Sequence, residues 1–315
     1  MAGVKEKDEL TGVETTGHEW DGIRELNNPL PRWWLILLWA TIAWAVVYWI
    51  LMPAWPLWNS YTPGIRGESD RRNVAAEVSA LQQARAPMFA KLEAAGIEAA
   101  VKDEALLDFA MQAGKSAFGD NCATCHGAGG QGAKGYPALV DDVWLWGGTL
   151  KDIRHTLDVG VRSTHSDTRF SQMPAYGRDG LLKPAEIADA AQYVVKLSGR
   201  AADAGAAARG AVVFATNCAS CHGADGKGDR MQGAPNLTDA DWLYGGTVQD
   251  ITAQIEQGRG GVMPSWQTRL SKPTLDALAI YVHALGGGEA TPPPAPAINP
   301  AIAPTPPAPA TATAG

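Results

Sequence analysis

The longest apolar run of the chain extends from Trp33 to Met52 and contains no charged residue. A helix rises about 1.5 Å per residue, so this run can cross the roughly 30 Å hydrocarbon layer of a bilayer. Tryptophans cluster near both of its ends, as they do at membrane interfaces and not in ordinary core helices. A polar segment precedes the run and no small-residue cleavage site follows it, which argues against a signal peptide. The pattern therefore predicts a polar arm over residues 1–32 and a transmembrane anchor over residues 33–58.

Two further segments are defined by composition. Residues 59–112 are rich in Ala, Leu and Glu, with apolar residues at helical spacing. This pattern predicts a helical connector, and Pro87 is expected to interrupt it. The last 30 residues contain nine prolines among Ala and Thr. Such a composition buries too little apolar surface to fold, so we predict a disordered Pro/Ala tail over residues 287–315.

Between the connector and the tail lies an internal repeat. The segment NCATCHGAGGQG (121–132) matches NCASCHGADGKG (217–228) at nine of twelve positions, and DDVWLWGGT recurs as DADWLYGGT. A Met-Pro pair follows in each copy, before an apolar helical pattern that ends at glycine. The two copies predict two tandem, mainly helical domains over residues 113–199 and 207–286. The first copy has eight more residues before its Met-Pro pair, which predicts a surface loop around residues 162–169.

Each copy contains the sequence Cys-x-x-Cys-His, and the two motifs use all four cysteines of the chain. In c-type cytochromes the two thiols of this motif attach to the haem, and the histidine ligates its iron. A domain of about 80 residues is too small for a generous core, and a haem supplies the missing apolar body. We therefore predict two class I cytochrome c domains with two covalently attached haems c. Their binding residues are Cys122, Cys125 and His126 in the first copy and Cys218, Cys221 and His222 in the second.

Paired cysteines also occur in zinc sites and in thioredoxin-like redox proteins. A four-cysteine zinc site spaces its pairs by about 15 to 20 residues, whereas Cys125 and Cys218 lie in separate copies. A thioredoxin-like pair follows a strand in a βαβ unit, but the residues before both motifs have the pattern of helix ends. The chain has a formal charge of −7 and no long basic run, which excludes nucleic-acid binding.

Iron with a single histidine ligand stays open to small molecules unless a second axial ligand is present. Met173 and Met263 occupy equivalent positions in the two copies, each directly before a proline and in a loop containing Gly or Ser. Thioether ligation favours reduced iron and raises the reduction potential of a haem. We predict that both methionines are axial ligands and that both haems carry electrons.

Other candidate residues have no equivalent in the other copy. Three methionines are expected to pack in the core: Met88, Met111 and Met231. Three histidines are expected at the surface: His155, His165 and His283. The WLWGGT and WLYGGT boxes either pack in the core or contact haem propionates, and they contain Trp144, Trp146, Trp242 and Tyr244. Arg162 and Arg259 either pair with propionates or face solvent.

The order of these features resembles the CcoP/FixP family, the dihaem subunits of cbb-type, C-family haem–copper cytochrome c oxidases. The resemblance rests on the tryptophan-rich helix, FGDNCATCHGAGGQGAKGYP, the two aromatic boxes, NCASCHGADGKG and VMPSW, and it covers residues 10–286. It implies that the haems relay electrons from a c-type cytochrome donor to a monohaem c subunit and a haem–copper catalytic subunit. This chain would then hold no catalytic centre, and proton translocation would belong to the whole complex.

Flanking charge does not fix the orientation of the anchor, because arginines lie on both sides of it. Haem is attached to cysteines on the outer side of bacterial cytoplasmic membranes. We therefore expect a single pass through the cell inner membrane, with residues 1–32 in the cytoplasm and both haem domains in the periplasm.

The methionines can be assigned to the irons in two ways. Spacing favours a pairing within each copy, His126 with Met173 and His222 with Met263. The family resemblance implies the exchanged arrangement, in which Met263 reaches the first haem and Met173 the second. Two other functions stay open. One is a dihaem peroxidase, which needs an iron with an exchangeable ligand, and the other is a free-standing membrane cytochrome or the cytochrome subunit of a periplasmic dehydrogenase.

Overall fold

The computed structural model describes residues 6–290, which form two compact units, Met1–Ala84 and Arg85–Gly315. Helices are the main secondary structure of the described residues, as the sequence predicts. The predicted tail lies outside the described residues from residue 291 onward.

The N-terminal unit begins with an antiparallel hairpin that the sequence analysis did not predict. Strand β1 (Thr15–Trp20) pairs with β2 (Ile23–Leu26). Asp21 and Gly22 form the turn with φ values of 48° and 84°, the left-handed conformation that two-residue hairpin loops require. The strands lack an alternating apolar pattern, which is the signal that predicts strands.

Helix α1 (Arg32–Leu51) matches the predicted membrane-spanning run to within one residue at each end. It is long and apolar enough to cross a membrane, and none of its residues is buried within the protein. The helix ends because Pro53 follows Met52, whose backbone is extended as the position before a proline favours. The anchor predicted over residues 33–58 is therefore helical only to Leu51.

Helix α2 (Asp70–Ala95) continues through Pro87, so the predicted interruption is wrong. Proline removes one backbone donor, which leaves the carbonyl of Gln83 without its helical partner. Both Gln83 and Pro87 are exposed, so water can satisfy that carbonyl. Near the end of α2, Leu92 is fully buried in a cluster with residues of later helices.

The second unit consists of short helices joined by glycine-rich loops. Their bounds are α3 Ile97–Ala100, α4 Glu104–Asn121, α5 Ala123–His126, α6 Leu150–Val159, α7 Pro184–Leu197, α8 Ala204–Asn217, α9 Ala219–His222, α10 Val248–Gln257 and α11 Lys272–His283. The four helices from α4 to α7 correspond to the four from α8 to α11. Asp103 caps α4 by accepting a hydrogen bond from the Leu106 N–H at 3.0 Å. The predicted domain start at residue 113 therefore falls inside a helix.

The two sequence copies exchange their last helices. Helix α11 packs against α4 and α6, whereas α7 packs against α8 and α10. We call α4, α5, α6 and α11 the α4 half, and α8, α9, α10 and α7 the α8 half. The copies at 113–199 and 207–286 are thus units of sequence similarity, and each folded half combines residues from both.

Close helix crossings fix this exchange at equivalent positions. A Cβ atom at Gly114 of α4 would overlap the carbonyl oxygen of Ala277 in α11. A Cβ atom at Gly210 of α8 would overlap the carbonyl oxygen of Asp189 in α7. Glycine therefore permits the backbones to approach in both halves.

The extra segment of the first copy is not a free surface loop, which corrects the prediction for residues 162–169. Val161 is buried and exchanges backbone hydrogen bonds with Met263 at 2.9 and 3.0 Å. The Arg162 guanidinium donates to the carbonyl oxygens of Gly261 and Ser171 at 2.6 and 2.9 Å. The segment therefore joins the two copies.

The first residues of the predicted tail belong to the fold. The Trp144 indole N–H donates to the Gly287 carbonyl at 2.5 Å, and the Glu289 N–H donates to the Gly148 carbonyl at 2.9 Å. Glu289 also forms an ion pair with Arg230 at 2.7 Å. Residues 287–289 are thus ordered because they cover the aromatic box of the first copy.

Candidate haem sites

Each Cys-x-x-Cys-His motif forms one helical turn at the end of a longer helix. Cys122 ends α4, and its carbonyl accepts the His126 N–H at 2.9 Å. Cys218 ends α8, and its carbonyl accepts the His222 N–H at the same distance. In such a turn the first cysteine, the second cysteine and the histidine share one face. The predicted haem-binding residues of each copy are thus brought together.

A proline carbonyl orients the histidine of each motif. His126 Nδ1 lies 2.9 Å from the Pro137 oxygen, and His222 Nδ1 lies 3.0 Å from the Pro235 oxygen. A carbonyl oxygen only accepts hydrogen bonds, so Nδ1 carries the proton and Nε2 keeps its lone pair. This arrangement fixes the tautomer and raises the basicity of a ligating imidazole. Both histidines are therefore prepared to bind iron through Nε2.

Burial favours the uncharged forms of the cysteines and of one histidine at these sites. It raises the pKa of the Cys122 and Cys218 thiols to about 11, so both thiols are protonated at physiological pH. Burial also lowers the pKa of His222, which keeps its imidazole neutral. Across residues 6–290, no group of three or more His, Cys, Asp or Glu side chains is arranged to hold a metal ion.

The two candidate axial methionines lie against the motifs of the opposite copy. Met263 packs on the apolar cluster that Cys122 and Ala123 also contact. Met173 packs on the cluster that Cys218 and Ala219 contact. The C-terminal glycines of α6 and α10 show the same exchange, because a Cβ atom at Gly160 would overlap the Met263 carbonyl oxygen.

The second copy mirrors this contact. A Cβ atom at Gly258 would overlap the Met173 carbonyl oxygen. The Gln172 side-chain amide donates to the Gly258 carbonyl at 2.8 Å. Each Met-Pro loop is therefore held at the end of a helix that belongs to the other copy.

The remaining methionines and histidines differ in how far their side chains are exposed to solvent. Met88 and Met111 pack against the core, whereas Met231 is 89% exposed, so its predicted core position is wrong. His155 is exposed as expected. His165 and His283 are half-buried, and their Nε2 atoms lie 3.0 Å from Gln267 Oε1 and 2.9 Å from the Glu289 carbonyl oxygen.

The aromatic boxes divide into two kinds of residue. Trp144 and Trp242 pack on the cores of the α4 half and the α8 half. Trp146 instead contacts the position of Gly233 in the second copy, and Tyr244 lies 3.6 Å from the Cβ position of Gly135 in the first. We call this contact region between the copies, around Gly135, Gly233 and Gly261, the seam.

Three arginines stand beside the seam aromatics. Arg169 and Arg259 lie over the rings of Trp146 and Tyr244, with Cζ 5.4 and 5.3 Å from the ring centroids. Burial lowers the pKa of Arg162 and of Arg169. Arg169 was not predicted as a site residue, although it precedes Met173 by the same interval that separates Arg259 from Met263.

Three segments of the chain match families of known proteins. Residues 12–59 match the family described as the N-terminal domain of cytochrome oxidase-cbb3, FixP. Residues 205–282 match the family of cytochrome c oxidase, cbb3-type, subunit III, and residues 111–198 match the cytochrome c family. These matches confirm the predicted cytochrome c domains.

Similar full-length proteins come from several bacteria. The chain is 52% identical over 290 residues to the cbb3-type cytochrome c oxidase subunit FixP of Bradyrhizobium diazoefficiens, covering 92% of this chain and 100% of that protein. It is 50% identical over 292 residues to the subunit CcoP of Azospirillum brasilense, covering 90% and 99%. It is 48% identical over 276 residues to the subunit CcoP of Cereibacter sphaeroides, covering 87% and 95%.

Proposed function

The chain belongs to the CcoP/FixP family of cbb3-type cytochrome c oxidase subunits, and on this basis we propose that it relays electrons from a c-type cytochrome donor into the oxidase. It is an electron-transfer subunit with two cytochrome c domains and two covalently bound haems c. Bound haem supplies one-electron chemistry, and the protein sets its position and potential.

One observation carries the proposed relay role. Both histidines present Nε2 from a fixed tautomer, and both motifs share an apolar cluster with a methionine. An iron with histidine and methionine ligands has no position left for oxygen or peroxide. We propose that the chain holds no catalytic centre and that oxygen is reduced in a partner subunit.

Carbon monoxide binding tests this role against the peroxidase alternative. The experiment uses the full-length, haem-loaded protein, reduced with dithionite and mixed with carbon monoxide. We expect neither haem to bind the ligand appreciably. Rapid, stoichiometric binding by one haem would instead favour a haem enzyme with an exchangeable ligand.

We further propose the exchanged axial ligands, Met263 for the haem on Cys122 and Cys125, and Met173 for the haem on Cys218 and Cys221. The shared clusters and the Gly160 and Gly258 contacts support this pairing. Within-copy pairing would require each methionine to leave the half on which it packs.

Substitution of one methionine distinguishes the two pairings. Met263→Leu should remove the methionine signature, seen by magnetic resonance and redox titration, from the haem on Cys122 and Cys125. The haem on Cys218 and Cys221 should keep its signature. Met231→Leu is the matched control, because that side chain is exposed. Loss of the signature from the haem on Cys218 and Cys221 would establish pairing within each copy.

The membrane topology is also proposed. Helix α1 suits a single membrane pass, and haem attachment requires the cysteines to reach the outer side of the membrane. We infer that residues 1–32 are cytoplasmic and the haem domains periplasmic. Alkaline phosphatase, which is active only in the periplasm, should be active when fused to the C-terminus and inactive when fused to the N-terminus. The reverse pattern would overturn the orientation.

The proposed partners are a monohaem c subunit, a haem–copper catalytic subunit and a c-type cytochrome donor. The names of the relatives support assembly with an oxidase. Purification in mild detergent should co-elute the chain with a copper-containing subunit that reduces oxygen. Its consistent absence would favour a free-standing dihaem carrier.

A further inference from the structure

Two buried hydrogen-bond donors at the seam have no partner in the protein. Within residues 6–290, buried side-chain atoms without a hydrogen bond belong to Glu98, Trp146, Arg154 and Arg169. Glu98 and Arg154 are nevertheless in ion pairs, with Lys151 at 3.0 Å and with Asp158. The other two atoms, Trp146 Nε1 and Arg169 Nε, belong to side chains that stack on each other.

The charge of Arg169 is incompletely compensated. Its nearest carboxylate oxygen, on Asp152, is 3.8 Å away, and the guanidinium donates to the Asp152 main-chain carbonyl at 3.2 Å. The Arg169 side chain is only 15% exposed, and burial lowers its pKa. A desolvated cation with an unpaired N–H is costly, so proteins supply such groups with an acceptor.

The two donors lie between the haem-binding segments of the copies. Trp146 contacts Gly233, in the loop that leads from His222 to Pro235. The Arg169 main-chain N–H donates to the Gly160 carbonyl, and Gly160 contacts the Met263 loop. An acceptor that fits both donors is anionic and has two oxygens, which describes a carboxylate. Each haem carries two propionate carboxylates.

We propose that Trp146 Nε1 and Arg169 Nε donate to one carboxylate, a propionate of one of the two haems. The inference rests on haem attachment and not on the proposed methionine pairing or topology. The propionate of either haem offers the same chemistry, and the haem whose potential changes identifies its source.

The corresponding pair in the second copy has its atoms occupied. Arg259 Nε donates to Gln254 Oε1 at 3.3 Å, and the Tyr244 hydroxyl oxygen accepts the Gly261 N–H at 3.0 Å. The donor pair is therefore specific to one side of the seam. Reduction adds negative charge to a haem, so the nearby Arg169 cation raises the potential of the haem it holds.

The test compares variants of the full-length, haem-loaded protein by spectroelectrochemistry and resonance Raman spectroscopy. Trp146→Phe removes only the N–H, and Arg169→Gln removes the charge and Nε. Both variants should lower the potential of the same haem and shift its propionate bending band. The double variant should change the potential by less than the sum of the single changes, because both donors serve one group.

Arg200→Gln is the matched control. Arg200 also lies over a tryptophan, with Cζ 5.0 Å from the Trp242 centroid, but its Nε already donates to Ser198 Oγ at 2.7 Å. This variant should leave both potentials unchanged. Arg169→Lys serves as a second variant if Arg169→Gln fails to accumulate. It keeps the positive charge but removes Nε, so the propionate bending band should still shift.

Several results would overturn the proposal. One is unchanged potentials and Raman bands in variants that retain both haems, and another is an effect of the two variants on different haems. Covalent haem content is measured in parallel. It separates these two results from the case in which the chain does not bind haem at all. That case would appear as absent haem in the unmodified protein.

Discussion

In the α4 half, the proline carbonyl lies 2.9 Å from His126 Nδ1, and in the α8 half the corresponding distance to His222 Nδ1 is 3.0 Å. Both haem-binding turns end at a glycine in the left-handed region, Gly127 at φ 81° and Gly223 at φ 77°. The seam shows no such agreement, because Tyr244 occupies in the second copy the position of Trp146 in the first, and residues 161–168 have no counterpart. Haem attachment thus tolerates little change, while the contacts between the halves have diverged.

A second difference lies in the cores of the halves. In the α4 half, Arg154 and Asp276 form an ion pair at 2.6 Å with side chains only 13% and 7% exposed. The corresponding positions of the α8 half hold Thr252 and Ala188, and Ala188 is exposed. One half therefore holds a buried ion pair where the other half has two uncharged residues.

The largest expected effect comes from removing a haem attachment. We expect Cys122→Ala and Cys218→Ala each to lose one covalent haem and to lower protein abundance several-fold. Each half contains helices from both copies. Loss of one haem should therefore also destabilise the other half. Haem staining beside an immunoblot measures both quantities, and Ser220→Ala, exposed in α9, is the control. Accumulation of either variant at the wild-type level with normal helix content would contradict this expectation.

The next effect concerns the buried ion pair that only the α4 half contains. Arg154→Thr leaves Asp276 with only Lys272 at 3.9 Å, and Asp276→Ala leaves Arg154 with only Asp158, so each should cost up to about 3–5 kcal/mol of unfolding free energy. The double variant reproduces the residues of the α8 half and should lose less than the sum of the two single effects. Denaturation of the haem-loaded chain measures the three values. A double variant that loses the sum of both single effects would show that the halves are not interchangeable here.

Substitution of the glycine at the close helix crossing should destabilise the protein by a similar amount in both halves. Gly114→Ala and Gly210→Ala each force a methyl group into a backbone carbonyl, with an expected cost of about 1–3 kcal/mol. Gly119→Ala in α4 is the matched control, because its Cβ position is open. That change should stabilise the protein by up to about 1 kcal/mol through helix propensity. Equal effects at Gly114 and Gly119 would mean that α11 does not cross α4 closely.

Much of this organisation is readable in the sequence because its signals are local. The boundaries of α1 follow from an uncharged run ended by Pro53, and the haem-binding turns follow from Cys-x-x-Cys-His. A repeat, however, identifies similar segments and does not say which copies pack together. The apolar faces of α7 and α11 each suit either half, so the exchange of helices becomes visible only in three dimensions.

The seam escaped prediction for a related reason. An arginine in a polar loop looks solvent-exposed in sequence, and only the packed structure shows that Arg169 is buried beside Trp146. The N-terminal hairpin was missed because its strands are stabilised by polar side chains, including the ion pair of Arg24 with Glu6. Neither feature has an apolar periodicity.

The smallest expected effect concerns an ion pair between the two copies at the surface of the seam. Lys134 of the first copy reaches Asp250 of the second at 2.7 Å, whereas Arg230, its counterpart, pairs with Glu289. The Lys134 hydrogen bond, followed by that of Thr247, lowers the pKa of Asp250 from 3.8 to about 2.

A carboxyl group with a lowered folded-state pKa stabilises the protein above its unfolded pKa. That contribution is lost as the pH falls from about 4 to 2, and we therefore expect Lys134→Gln to reduce the loss of thermal stability across this window. The effect should be small and weaken with salt, because the pair is exposed. Lys227→Gln, which removes the exposed contact with Asp225 at 3.7 Å within one copy, is the control and should leave the titration of Asp250 unchanged. If Lys134→Gln also leaves it unchanged in carboxyl-detected magnetic resonance, Lys134 does not hold the two copies together at this point.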